Sequence, residues 1–265
     1  MVLVKKADGR KEEFDGGKII ATCMRAGLPR KAAEAVLAKV NKKLYDGIGT
    51  HDIYEMVLKE LERTEDRSSM VFRLREAVSQ MPSDKFELYV MKLLEGRGYR
   101  CRWNVLVKGR YVEHQADILA EKAGRKYLVE CKHHVNPHRF CGLGIALQVQ
   151  ARLDDIRDGF REGKNTLDFS QAWIVTNTKY SEHAKSYASG KKIILSGWKY
   201  KGKDSLENII QSKRMYPVSM LKLDKNVKSR LYEQNITTIQ EAVGAKGIDR
   251  KAADYIRNQT KLLLG

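Results

Sequence analysis

The sequence predicts a multidomain α+β and α/β chain. It should hold an N-terminal helical bundle with a β-hairpin, a central mixed sheet flanked by helices, and a small all-α module at the end. Three observations predict this. Residues 1–81 turn to helical apolar spacing after a short alternating start. Residues 82–212 interleave helical patterns with strand-like runs, among them the continuous apolar segment Ala172 to Thr176. Residues 213–265 return to helical spacing alone.

In the first segment, Val2 to Phe14 reads as a hairpin turning at Asp8-Gly9, where positive φ is needed. A helix follows from Lys18 to Ala26, with Gly27 as its cap. Pro29 suits the first turn of a second helix reaching Tyr45, and Thr50 N-caps a third that carries Ile53, Val57, Leu58 and Leu61 on one face. A fourth runs from Ser69 to Ser79. In the centre, Ser83 caps a helix from Asp84 to Arg97. A strand from Tyr99 to Val107 turns back at Lys108-Gly109-Arg110, and a hairpin pivots about Ala123-Gly124. A helix from Leu143 to Phe160, the strand at 172–176, a helix capped by Ser181 and a strand at Ile193-Ile194-Leu195 complete a β-α-β unit. Residues 201–213 read as the start of a linker. Beyond them, Leu221, Leu223, Val227 and Leu231 form an apolar face, and Asn235 and Lys246 lead into two further helices.

The formal net charge is +17, which points to an anionic partner. By segment it is +3 for residues 1–81, +8 for 82–200 and +6 for 201–265. The four cysteines form no CxxC pair, which speaks against a zinc ribbon or a redox pair and fits reduced thiols in the cytoplasm. No apolar run of about 18 residues occurs, so no membrane span is expected.

The chemistry concentrates in the central hairpin. Glu130 and Lys132 are two apart on a strand and share a face. A symmetric fold about Ala123-Gly124 sets Asp117 across from Glu130, with Cβ atoms roughly 5 Å apart. Two carboxylates at that spacing can hold a divalent cation, and a neighbouring ammonium can orient or activate water, a set suited to phosphodiester hydrolysis. The same register places His133 across from His114. The loop His133 to Cys141 holds three histidines and a cysteine, but their spacing fits no standard zinc pattern.

Asp117 followed by Glu130-Cys131-Lys132 resembles the core of the restriction-endonuclease-like nucleases, and more specifically the Mrr-like enzymes. Phe86-Glu87, Trp173-Ile174-Val175-Thr176-Asn177, Ser181-Glu182-His183-Ala184 and Leu195-Ser196-Gly197-Trp198 extend the likeness. It implies a Mg²⁺- or Mn²⁺-dependent DNA endonuclease with Asp117, Glu130 and Lys132 catalytic. Asp117, Glu130 and Glu87 would be the metal ligands, and Gln148 would be a further candidate lining the site. Ala116 stands where the group often has proline.

Residues 1–81 contain no P-loop but resemble the ATP-cone, an allosteric nucleotide domain. The likeness rests on Val4-Lys5-Lys6-Ala7-Asp8-Gly9, Phe14, Lys18-Ile19, Ala26-Gly27-Leu28, Leu44-Tyr45-Asp46-Gly47-Ile48-Gly49-Thr50 and Phe72-Arg73-Leu74-Arg75. It implies that ATP or dATP is bound by Lys6, by Glu12, Glu13, Phe14, Asp15, Gly16, Gly17 and Lys18, and by Thr50. Lysines there can neutralise phosphate and the hydroxyl can donate to it. Ala7 replaces a common arginine. Residues 213–265 resemble a helix-hairpin-helix or SAM-like module, which implies DNA phosphate contacts from Lys246, Arg250 and Lys251; Asp249 stands where a second glycine is usual. The expectation is a DNA endonuclease regulated by nucleotide, with a homodimer compatible with both domain types. The alternative is a non-catalytic, nucleotide-sensing DNA-binding regulator. Charge alone does not separate DNA from RNA.

Overall fold

The computed structural model describes residues 2–6, 9–62, 67–200 and 202–265, without the side chains of residues 67 and 203. Ala7, Asp8 and Lys201, which figured in the expected first turn and linker, lie outside the described residues. Two compact units are present, residues 1–74 with 258–265, and residues 75–257.

In the first unit, strand β1 (Leu3–Lys5) pairs antiparallel with β2 (Lys11–Glu13) and parallel with β3 (Ile48–Gly49). Helix α1 (Gly16–Arg25) starts two residues earlier than its apolar spacing indicates, because the Asp15 carboxylate accepts from the Gly17 N–H at 2.9 Å. Gly27 follows its end at φ +103°. Helix α2 (Arg30–Asn41) buries Ala33, Val36 and Val40 and stops four residues short of Tyr45. Helix α3 (Thr50–Glu62) buries Ile53, Val57 and Leu61, with Thr50 as its first residue rather than a cap. These residues join Val4, Ile19, Cys23 and Ile48 in one core. The expected fourth helix is two, α4 (Arg67–Phe72) and α5 (Leu74–Ser79), broken at Arg73, whose guanidinium pairs with Glu62 at 3.1 Å.

The second unit is built on a five-stranded sheet. Helix α6 (Ser83–Glu95) begins after Pro82, and Ser83 lies inside it rather than capping it. The strands are β4 (Arg100–Lys108), β5 (Glu113–Lys122), β6 (Arg125–Lys132), β8 (Phe169–Thr176) and β10 (Ile194–Ser196). Their order is β10-β8-β6-β5-β4; β5 runs antiparallel to both β4 and β6, while β6, β8 and β10 are parallel. The β5–β6 turn falls at Ala123 and Gly124, both at positive φ, as the sequence indicates. A two-stranded parallel pair, β7 (Phe140–Cys141) and β9 (Lys179–Tyr180), stands beside the sheet. Helices α7 (Leu143–Arg161) and α8 (Glu182–Gly190) cover a core that includes Leu119, Leu128, Val149, Ile156, Ala172 and Ile174. Ser181 caps α8 by accepting from the Ala184 N–H, as expected.

The expected linker is instead largely helical. Helix α9 (Leu206–Lys213) is capped by Ser205 and buries Leu206, Ile209 and Ile210. Helices α10 (Lys225–Glu233), α11 (Ile239–Ala242) and α12 (Arg250–Leu264) follow. Residues 213–257 belong to the same compact unit as the sheet. The Tyr89 hydroxyl donates to the Met215 carbonyl at 2.7 Å, and Lys92 pairs with Glu241 at 2.6 Å.

Where α7 crosses the β4–β5 turn, glycine is required. A Cβ on Gly159 would lie 2.6 Å from the carbonyl carbon of Gly109, a backbone atom that cannot swing aside. Gly159→Ala should therefore cost about 1–3 kcal/mol in urea unfolding, whereas Gly144→Ala, inside α7 with nothing within 4 Å of its Cβ position, should leave stability unchanged or raise it by up to about 1 kcal/mol.

Candidate active site

The β5–β6 ladder has the register that symmetric folding requires, but its last pair is Ile118↔Val129, one step before Asp117 and Glu130. There the strands part, and the Asp117 carboxylate itself accepts the Cys131 N–H at 2.7 Å. On the other side of β5, Trp103↔Ile118 and Val105↔Ala116 are paired while Asn104, at φ +54°, is not. Side-chain alternation breaks at the same point, since Ala116 and Leu119, three apart, enter the same core. Asp117 thus sits where β5 is unpaired on both sides.

Charged groups gather around this gap. Burial first, then the charge of Asp117, raises the Glu130 pKa to about 7, outweighing the opposing charges of Arg152 and Lys132. Burial also raises that of Asp117, against the Cys131 N–H, Arg152 and Lys132. Glu87 on α6 is raised by burial and by Asp117; its carboxylate accepts from the Trp103 indole at 3.1 Å. Glu87, Asp117 and Glu130 each therefore feel the charge of at least one other residue singled out from the sequence, Lys132 among them. Lys132 is exposed, and its carbonyl accepts from the Thr176 hydroxyl at 2.6 Å, which fixes the strand end that carries it.

Sequence reasoning missed Arg152. From α7 its guanidinium reaches Glu130 at 2.6 Å. It lies four residues after Gln148, on the same helix face, and that spacing was the available signal. Gln148 itself is exposed. The donor set is three hard carboxylates, which suits Mg²⁺ or Mn²⁺. Among the described residues, however, no three His, Cys, Asp or Glu groups stand close enough to enclose an ion. Arg152 meets only one oxygen of Glu130, so an ion bound there would use the other oxygen or displace the guanidinium.

The expected facing of His114 and His133 does not occur, because the ladder opens before reaching them. His114 lies 2.7 Å from Asp155, while His133 lies 3.1 Å from the Val78 carbonyl with its ring against Phe86.

At the expected nucleotide site, Lys6 and Lys18 converge on one oxygen of Glu12, at 2.5 and 2.9 Å, and their hydrogen bonds hold that carboxyl down at about 2. The β1–β3 register, Lys5↔Gly49, places Lys6 beside Thr50. Glu13 closes β2 opposite Leu3, Phe14 packs on the core, and Asp15, Gly16 and Gly17 form the start of α1. In the tail, Lys246, Arg250 and Lys251 are exposed around Gly247, which has φ +68°. Asp249 accepts from the Ala252 N–H at 2.8 Å and so caps α12.

A carboxyl raised from 4.5 to about 7 favours the fold when protonated. That contribution is full below about pH 4.5 and is lost as pH rises through 7. Glu130→Gln should therefore leave metal-free stability nearly unchanged at pH 4 and raise it by about 1–3 kcal/mol at pH 8, as measured by urea unfolding at the two pH values.

Comparison with known proteins gives the domain types. The ATP cone domain profile matches residues 2–75, and a restriction endonuclease profile, the Mrr catalytic domain, matches residues 78–197. An uncharacterized protein of Archaeoglobus fulgidus is 35% identical over 181 residues, covering 66% of this chain and 99% of the relative. A second uncharacterized protein of the same organism is 48% identical over 42 residues, covering 16% of this chain and 89% of that relative. The crystal structure of the protein of unknown function AF1548 aligns with a TM-score of 0.58 at 34% identity, covering 68% of this chain and 97% of that one. The chain belongs to the restriction-endonuclease-like family in which an ATP cone domain is followed by an Mrr-type catalytic domain.

Proposed function

We propose that the protein is a divalent-metal-dependent DNA endonuclease whose activity responds to ATP or dATP. The observation that carries this reading is the gap in the β5–β6 ladder, around which Glu87, Asp117, Glu130 and Lys132 act on one another electrostatically. Asp117, Glu130 and Glu87 would hold Mg²⁺ or Mn²⁺, which supplies Lewis-acid activation of water and phosphate when bound. The chain's own residues do the rest. Asp117, anchored by the Cys131 N–H, keeps a fixed carboxylate at the strand gap. Lys132, on a strand end held by Thr176, presents an ammonium that orients the attacking water or offsets negative charge on the phosphate. Lys246, Arg250 and Lys251 would take DNA phosphates without reading sequence. Lys6 and Lys18 would exchange Glu12 for nucleotide phosphate, beside Thr50.

The Arg152–Glu130 pair favours a second reading, in which a guanidinium permanently occupies Glu130 and the protein is a nucleotide-sensing DNA-binding regulator. A Mn²⁺ titration by calorimetry separates the two. Binding by the parent protein supports the enzyme, whereas binding gained only in Arg152→Ala supports the regulator.

Plasmid DNA with Mg²⁺ or Mn²⁺ should be nicked by the protein. Asp117→Ala and Lys132→Ala should each lower the nicking rate by at least about 100-fold while DNA binding persists; nicking at the parent rate in both variants would refute the site. Lys6→Ala and Lys18→Ala should each weaken ATP or dATP binding about tenfold in calorimetry. The same variants should blunt any effect of nucleotide on nicking.

A further inference from the structure

Residues 131–153 contain no aspartate or glutamate, although they run from one edge of the candidate site to the other. Lys132, Arg139 and Arg152 lie within them, and Lys179 stands across the β7–β9 ladder from Phe140. The same stretch exposes two large apolar side chains, Val135 at 80% and Phe140 at 51%.

Exposed loops are usually mobile and polar, but this one is tied down. Asn177, fully buried, accepts from the His134 N–H at 2.9 Å and donates to the His134 carbonyl at 2.7 Å. The Asn136 side chain accepts from the His138 N–H at 2.9 Å. The Ser181 N–H donates to the Cys141 carbonyl at 3.0 Å, and the Arg75 guanidinium donates to the Pro137 carbonyl. Val135 and Phe140 therefore project from fixed backbone, ordered before any partner arrives. Val135 is three residues from Lys132, at most about 10 Å along the chain. The buried Cys141 thiol, next to Phe140, feels the charges of Lys132 and Glu130.

A pre-ordered apolar pair flanked by cations, within a stretch (131–153) that itself holds no acid, is complementary to a polyanion with an apolar interior. Duplex DNA is such a partner. Its phosphates would meet Arg139 and Lys179 while an apolar side chain enters between base steps.

We propose that the loop 135–140 is a wedge that unstacks duplex DNA beside the phosphate to be cut. Sites would then be selected by ease of unstacking rather than by base edges, and the preferred substrate is duplex DNA carrying a mismatch or a flexible pyrimidine–purine step. This rests on the nuclease reading above.

The test uses the full chain in chelator and two duplexes of about 30 base pairs, identical except for one central mismatch. Each carries 2-aminopurine beside that position. The parent protein should bind the mismatched duplex at least about tenfold more tightly and raise its 2-aminopurine fluorescence. Val135→Ser combined with Phe140→Ala should reduce the preference to under about threefold and abolish the fluorescence rise. Unchanged thermal unfolding would show that the fold is intact. Equal binding of the two duplexes by the parent would overturn the wedge, as would an undiminished preference in the double variant, which would reassign this face to a protein partner. Plasmid nicking by the parent separates the two failures. Nicking without mismatch preference removes the wedge alone, while absence of both nicking and DNA binding removes the nuclease reading with it.

Discussion

The organisation of the central unit depends on one hydrogen bond, from the Cys131 N–H to the Asp117 carboxylate. A strand N–H ordinarily finds its acceptor in the neighbouring backbone, and leaving it unmet in a buried position costs about 1–3 kcal/mol. A side-chain oxygen substitutes for the lost carbonyl here, so the ladder can open without an orphaned donor. Opening it frees the strand ends beyond Ile118 and Val129 to diverge, which makes room for Glu130 and Lys132. Asn104, at positive φ across β5, relaxes the other side of the same strand. The gap is therefore a local exchange of one acceptor for another, placed where charged groups need space.

Much of this was legible in the sequence, because hairpin register is local arithmetic. Ala123-Gly124 sets the turn, the turn sets the pairing, and the pairing aligns Asp117 with Glu130. What the arithmetic could not show is that pairing stops there. It therefore carried the register too far and set His133 opposite His114. Helix ends were misplaced for a related reason. Apolar spacing marks buried faces, while ends are set by polar contacts such as Asp15 to the Gly17 N–H. The linker misreading came from composition, since residues 201–213 are polar on average yet bury Leu206, Ile209 and Ile210. Arg152 was signalled only by its place four residues after Gln148, because its partner, Glu130, is 22 residues away on another element.

Charged groups at the two ends of the chain are arranged differently. Asp249 caps the helix whose first turn carries Arg250 and Lys251. A capped start is a more rigid platform for those two side chains than an uncapped one. At the other end of the chain, one acid serves two lysines. Glu12 takes both Lys6 and Lys18 on one oxygen, and Asp15 adds a second acid whose charge reaches Lys18.

The pair of Arg152 and Glu130 follows the same logic in a buried setting. Three carboxylates around one gap repel one another, and burial removes the water that would screen them. The fold lessens that repulsion in two ways, by raising the pKa values of the acids and by bringing in one guanidinium at 2.6 Å. Neither fully solvates the charge, since Glu130 remains raised despite its partner. A divalent cation would do so more completely, because it meets several carboxylates at once where a guanidinium meets one. On the proposed function, a metal ion and Arg152 would both draw on Glu130, and an arginine released from it would stay on α7, four residues from Gln148, where it could meet a substrate phosphate.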